Sequence, residues 1–549
     1  MRPTLLVPIV LIALAGCAAR KKESAPPPAP PARAILFDDL GTHHHPVTTR
    51  APEAQRYFDQ GLRLVWAFNH DEATRAFQEA ASLDRGCAMA WWGIALAAGP
   101  NYNDPGNAER DRRAYEALAN AVLLRGQVSE RERAYIDALS KRYTKDPPPD
   151  RKALDAAYAD AMREVARRFP DDLDAATLFA EALMDLRPWD LWTADGKPQP
   201  GTEEIVATLE SVLARDPMHP GANHYYIHAI EASPRPERGL ASAGRLHDLV
   251  PGAGHLVHMP SHIYMRVGKY DEAAAANERA IAADEQYIAR AKPEGLYPMM
   301  YYPHNIDFLW NATSMQGRSG ATIEAARRIA AAATPEMIRH MPDIENAAVA
   351  PLFALARFGK WREILAEPAP PADLPFATGG WHYARGLARL RTGDLAGAEK
   401  ELADLSAVTA KTPPDRALQQ VNKQKEVLTL AGDVLGGELA ATHGRMDEAV
   451  RRLEDAVRIQ DGLRYMEPPP WYYPTRQSLG AVLLAAGKPK QAEAVYREDL
   501  RRNPENGWSL HGLAQSLRAQ KRTAQAANVE RRFRQAWAKA DVRLESSRF

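Results

Sequence analysis

The chain has 549 residues, 45% of them hydrophobic, which is more than one compact core usually holds and leaves either several domains or one long array of repeats. Its 70 Lys and Arg balance its 70 Asp and Glu, so there is no overall basic excess to displace counterions, and nucleic acid is excluded as the expected partner. Alanine is abundant and runs of β-branched residues are scarce, which favours helices over sheets.

In chain order, Arg2 is followed by an apolar run from Leu5 to Leu14, of signal-peptide length and too short to span a bilayer. The run ends in Leu14-Ala15-Gly16-Cys17, which resembles the lipobox of bacterial lipoproteins. The resemblance implies removal of residues 1–16, a lipid on Cys17 and a membrane held through that lipid. With Ala18 next, it implies the periplasmic face of the outer membrane. Residues 17–50 read as the lipidated Cys and a Pro/Ala-rich tether, extended by Pro26-Pro27-Pro28 and Pro30-Pro31. At its end, His43-His44-His45 reads as solvated linker, with folding over to supply extra metal ligands as the alternative. Cys87, the only other cysteine, reads as a small core residue, with a metal ligand or reactive thiol as the alternative.

From about residue 52 the pattern is helical and repetitive. Gly61 to Ala80, Ser261 to Ala280 and Gly480 to Asp499 each pass from a small residue through an apolar helix to a polar turn, then restart at Ala73, Ala273 and Ala492. Pro217 and Pro251 lie 34 residues apart. A helix-turn-helix unit of that length resembles the tetratricopeptide repeat (TPR) family. The resemblance implies an all-α, right-handed helical-repeat solenoid with units near 54–87, 220–253, 254–287, 379–412, 430–463, 473–506 and 507–540. The array divides into an N-terminal part, 51–340, carrying a His-rich groove, and a C-terminal part, 341–549. Two insertions, Arg187 to Gly201 and Gly295 to Pro303, are rich in aromatics and read as loops on the binding face. Pro468 to Pro474, with Trp471 at its centre, reads either as lining for the far end of the groove or as a plug between units.

Eight of the 16 histidines fall between His219 and His304. His224, His228 and Glu231 share one helix face, as do His255, His258 and His262. His224 and His228 lie one 34-residue repeat before His258 and His262, so the two pairs occupy equivalent places in adjacent units. In tetratricopeptide proteins these first-helix positions line the concave groove, and a His pair from each of two neighbouring helices can bind a metal. His304, after the second insertion, can reach the same space. Glu231 reads as an oxygen ligand or general base, and His247 and Asp248 as groups orienting the ligands. The metal would be Zn²⁺ first, with Fe²⁺ or Cu²⁺ next. The same histidines also fit a polar ligand groove or a purely structural role.

Two functions follow. One is a membrane-tethered scaffold that binds a protein or peptide in its groove, with Trp189, Trp192, Tyr225, Tyr264, Tyr302 and Trp471 as contact residues. The other is a metal-dependent enzyme or metal-handling protein built on His224, His228, His255, His258, His262 and His304, with Glu231 as base. No phosphate-binding glycine motif, nucleophile elbow, CxxC pair or dinucleotide fingerprint is present, so the families those motifs mark are not supported.

Overall fold

The computed structural model describes residues 34–549; the apolar leader, Cys17 and most of the proline-rich stretch lie outside the described residues. Among the described residues, helices succeed one another almost without interruption. The only strands are the two-residue pair Ala417–Leu418 and Asn422–Lys423. No helix of these residues is long and apolar enough to cross a membrane.

The helices pair as the 34-residue spacing predicts. Pro52–Trp66 packs on His70–Leu83, Gln424–Thr442 on Met446–Gly462, and Gly507–Ala519 on Thr523–Ala536, the first two pairs each stacking on the helix that follows. Local chemistry sets the boundaries. Pro opens the first turn of Pro52–Trp66, Pro220–Ile230, Pro375–Arg391 and Pro489–Arg502, where its missing N–H is no loss. Ser129 and Glu132 close a reciprocal capping box at the start of Glu130–Leu139.

Small residues set the helix spacing. A Cβ on Gly61 or on Gly93 would fall 2.6 or 2.5 Å from the Phe77 ring, so two neighbouring helices clasp one aromatic through glycines. Gly480 and Gly512 clasp Tyr496 in the same way, at 2.4 and 2.2 Å. This repeated device explains why the units stack closely enough to bury a continuous core. The core containing Ile306 and Trp310 also contains Leu355 and Leu517, so packing runs straight across residue 340. Cys87 is buried at a helix start, and burial pushes its thiol up to about 11, as suits a core residue.

The superhelix coils until distant units touch. Helix Pro52–Trp66 meets Pro220–Ile230, Trp508 donates its indole N–H to the Ser314 carbonyl at 3.0 Å, and a Cβ on Gly268 would fall 2.3 Å from the Pro504 carbonyl oxygen. The open groove expected from the repeat is therefore filled by the chain itself.

Residues 35–50, expected to belong to the tether, are packed down instead. Gln60 bonds to Phe37 and Ile35 at 2.8 Å each, and Thr48 N–H donates to Glu132 at 2.7 Å. The cause is Asp174, which accepts from His43 at 2.9 Å, His45 at 2.7 Å and His219 at 3.1 Å. The histidine triplet is thus neither solvated linker nor a lid on the larger cluster; only His44 stays half exposed, against Asp59. Burial would raise the Asp174 carboxyl, but its three imidazole partners hold it well below the usual carboxylate range. Burial likewise depresses His45, and the Asp174 bond overcomes it and raises the ring above its ordinary 6.5.

Asp174→Asn should release this segment at a cost of about 3 kcal/mol, seen as early proteolysis near residue 45. The depressed carboxyl stabilises only above its unfolded value, and the raised imidazole stabilises fully only below its own. Amide protection over 37–48 should therefore peak between about pH 4 and 6.5 and fall on both sides. A flat profile in hydrogen exchange would contradict the Asp174 hub.

A candidate metal centre of buried imidazoles

Six histidines from four helical segments meet in one chamber. His224 and His228 come from Pro220–Ile230, His255 and His258 from Gly254–His258, His262 from Pro260–Arg266, and His304 from Tyr302–Gln316. Pro260 lacks the N–H that would continue the helix through Met259, so the second repeat helix breaks between His258 and His262. Gly254 lets this helix start against Asp284: a Cβ there would lie 2.0 Å from the carboxylate, which in turn accepts from Tyr297 and Asn305. Burial raises the Asp284 carboxyl to about 7 against those two bonds.

Of the histidines that the sequence places in an open groove, His304 is partly exposed and the other five are enclosed. His224, His255, His258 and His262 are 0% exposed and His228 and Glu231 1%. The enclosing parts come from both insertions and from the far half of the chain. Trp189 stands 5.8 Å from the His228 ring and Tyr301 4.8 Å from His255, while Phe308 lies 4.5 Å from both His258 and His262. Tyr465 reaches Glu231 at 3.2 Å and bonds Glu467 at 2.7 Å. Phe68, 4.6 Å from the His224 ring, and Trp189 both hold left-handed backbone, at φ 55° and 56°. Such a conformation costs a non-glycine residue about 1–3 kcal/mol, and here two of them wall one site.

The hydrogen bonds on the outer side of the rings fix what the inner side presents. His224 Nδ1 donates to the Trp66 carbonyl at 2.6 Å, and His258 Nδ1 to Asn277 Oδ1 at 2.6 Å. The Asn277 amide N–H₂ is committed to the Ala273 carbonyl, so its oxygen faces the ring. Glu231 accepts from His228 Nδ1 at 2.7 Å and from His262 Nδ1 at 2.5 Å. With the proton on Nδ1, each of these four rings turns the lone pair of Nε2 inward. His258 and His262 Nε2 then face each other at 2.9 Å, and His224 Nε2 faces His255 Nε2 at 3.2 Å. His228 Nε2 and His255 Nδ1 are buried with no protein partner. Two donors on one ion at about 2.0–2.1 Å stand about 2.9–3.4 Å apart, so these spacings suit a metal between each pair.

The ligand atoms fall into two sets of three, His224, His228 and His255 in one and His258, His262 and His304 in the other, each with its nitrogens within 4.8 Å of one another. The sets adjoin: the His228 and His262 rings lie 5.5 Å apart and the His255 and His258 rings 5.8 Å. Burial depresses His224, His228, His255 and His258 below the ordinary imidazole value and takes His304 to about 3, so these rings stay neutral and able to ligate. A cavity of about 180 Å³, lined by Leu296, Met299, Met300, Tyr301 and Trp189, leads to His304.

Other expectations are corrected. Glu231 is not free to act as a base: both oxygens are occupied, and although burial would raise it, the His262 and His228 rings hold it well below the usual carboxylate range. It positions ligands, as do the Trp66 carbonyl and Asn277, which sequence spacing did not single out. His247 and Asp248 pair with each other and touch none of the six rings. Trp192 backs the site by donating to the Ala229 carbonyl at 2.7 Å, and Tyr225 packs 5.2 Å from His224. Tyr264 packs on Ala273, Ala274 and Ala312, and Tyr302 turns to Glu285 and Arg328, its neighbour Tyr301 taking the inward place. Trp471 lies in a separate aromatic core, 5.5 Å from Phe353 and 5.1 Å from Tyr383. The Asp174 hub differs in kind from the chamber. His219 Nδ1 accepts from the Ala222 N–H, so its Nε2 donates to the carboxylate.

The sequence matches no known protein family and no characterised protein. Among solved structures the chain is similar to the human IFIT1 dimer with m7Gppp-AAAA, at 12% identity over 89% of this chain and 91% of that one with a TM-score of 0.31. It is also similar to the APC/C hetero-tetramer Cut9-Hcn1, at 12% identity, 90% and 76% coverage and a TM-score of 0.29. A third likeness is the TPR domain of P58(IPK), at 10% identity, 86% and 99% coverage and a TM-score of 0.22. Likenesses this distant decide nothing about what the chain binds, and its fold rests on its own helices.

Gly254→Ala should displace Asp284 and the helix start behind His255, costing about 1–3 kcal/mol. A fall of several degrees in Tm is expected, and an unchanged Tm would contradict the close packing at Gly254.

Proposed function

We propose that this protein is a metalloprotein whose chamber holds two transition-metal ions, one in the His224, His228 and His255 set and one in the His258, His262 and His304 set. The observation that carries the reading is the opposed pair of Nε2 lone pairs, 2.9 Å apart, on two rings whose protons are committed outward. Burial opposes protonation of the His258 ring. A cation satisfies both nitrogens, and one in the adjoining set satisfies the orphaned His228 Nε2, which otherwise costs about 1–3 kcal/mol. Three protein ligands per ion leave an open position, as in catalytic rather than structural sites. Zn²⁺, Fe²⁺ and copper all accept imidazole.

The rest of the reading comes from the sequence. A lipid on Cys17 would tether the protein to the outer membrane, facing the periplasm. Use of the solenoid as a protein-binding scaffold is the second reading. It is supported by the exposed Leu123, Val122 and Tyr115 on helix Ala108–Leu124, apolar side chains that take no part in the histidine chamber.

Protein purified without a tag and supplemented with metal should carry two ions per chain by elemental analysis. The double variant His228→Ala, His262→Ala should carry none while keeping its helical circular dichroism, and Glu231→Gln should bind about 10–100-fold more weakly. A metal-free chain after supplementation would overturn the proposal.

A further inference from the structure

We infer that the cavity beside His304 is a binding site for a small organic ammonium ion with an apolar body, whether or not metal is bound at the histidines.

Charge selects the sign of the ligand. Asp307, Asp343 and Glu467 all line the cavity, and among the described residues that line it none is Lys or Arg. Arg110 and Arg266, whose charges reach Tyr301 and Glu467, are engaged elsewhere. Arg110 pairs with Asp104, and Arg266 donates to the Glu231 and Ser233 carbonyls. The Asp307 and Asp343 carboxyls make no hydrogen bond or ion pair with any described residue. Glu467 is 7% exposed and receives one bond, from the Tyr465 hydroxyl to Oε1, which leaves Oε2 without a partner. Burial pushes the Asp307 and Glu467 carboxyls up to about 7, and a cation beside them favours their charged forms. An anion would meet three acids and no base.

Orphaned polar atoms on the same wall point to a ligand independently of the acids. Tyr301 is 5% exposed, and its hydroxyl, beside Asn103, bonds to no described residue. Asn103 Oδ1 and Gln419 Oε1 are likewise buried without a partner, and all three residues line the cavity. Gln419 is held in place from both sides: its backbone N–H donates to the Asp343 carbonyl at 2.8 Å and its side-chain amide to the Pro468 carbonyl at 3.3 Å. The wall thus offers oxygen acceptors beside carboxylates. An ammonium group, all donors and no acceptor, complements such a set.

Apolar walls fix the rest of the ligand. Leu296, Met299, Met300 and Ile329 line the same space of about 180 Å³, and the Trp189 and Tyr301 rings border it, as aromatic rings that attract cations do in other binding sites. A bare inorganic cation of the Ca²⁺ or Mg²⁺ kind would gather oxygen ligands around itself and leave the aliphatic and thioether walls uncovered. A neutral hydrocarbon would cover those walls and leave the acids and orphaned oxygens unmet. A primary amine on a compact apolar body meets both demands, and phenethylamine is a probe of that kind.

The test titrates the full chain by calorimetry with phenethylamine and, in parallel, with phenethyl alcohol and phenylacetate, before and after chelation of metal. Saturable binding of the amine is expected in both states, with the alcohol weaker by about tenfold or more and phenylacetate not bound. Asp307→Asn should weaken the amine by about tenfold or more without lowering the Tm, since its carboxyl has no partner to lose. Asp343→Asn, on a different element of the wall, should weaken it in the same direction. Equal affinity for the alcohol, binding of phenylacetate, no binding of the amine, or amine binding lost on chelation would each overturn the inference. Unchanged amine affinity in both variants would place the amine elsewhere and overturn it too. Elemental analysis of the same samples decides the two-ion reading separately.

Discussion

The centre depends on one carboxylate. Glu231 accepts the Nδ1 protons of His228 and His262, which lie on helices of two successive repeat units. A single buried anion thereby orients two rings, sets their tautomers and turns two lone pairs toward the same space. The Trp66 carbonyl and Asn277 do the same for His224 and His258. Every outward bond made by a proton is an inward nitrogen without one. A cation would resolve this conflict, and an apolar interior would not.

The solenoid supplies what that arrangement needs. Repetition places two His pairs at equivalent positions, and stacking brings them to one level. A repeat alone would leave them on an open concave wall. Here the superhelix closes on itself, Phe68 and Trp189 accept unfavourable backbone to wall the chamber, and Tyr465 arrives from more than two hundred residues away. Enclosure raises the stakes of every polar contact. It keeps His224, His228, His255 and His258 neutral and strengthens every electrostatic interaction in the chamber. The Asp174 hub uses the same residue types to a different end: there one nitrogen of each ring finds the carboxylate, and the result is a clamp on residues 35–50.

Much of this was legible in the sequence because helices register side chains at fixed intervals. The His224 and His228 pair, repeated 34 residues later, predicts a shared site, and all six histidines singled out for it converge. Enclosure was not legible, since it arises from contacts such as Trp508 with Ser314 and Tyr465 with Glu231 that no local pattern encodes. The role of Glu231 was misread for a related reason. Its place on the helix face is periodic and predictable, but its commitment to two rings depends on His262 in the next unit. Tyr301 and Tyr302 illustrate the limit of reading aromatics in a loop: the π-helical turn Tyr297–Tyr301 decides which of two adjacent tyrosines points inward.

The central claim, that paired inward lone pairs exist to hold ions, is tested most directly by X-ray absorption at the metal edge on the loaded protein, with crystals of the same sample measured for anomalous scattering. The account predicts three imidazole nitrogens per ion at about 2.0–2.1 Å and two anomalous peaks inside the chamber, between the His224 and His255 rings and between the His258 and His262 rings. A shell of oxygen ligands, or peaks confined to the protein surface, would contradict it.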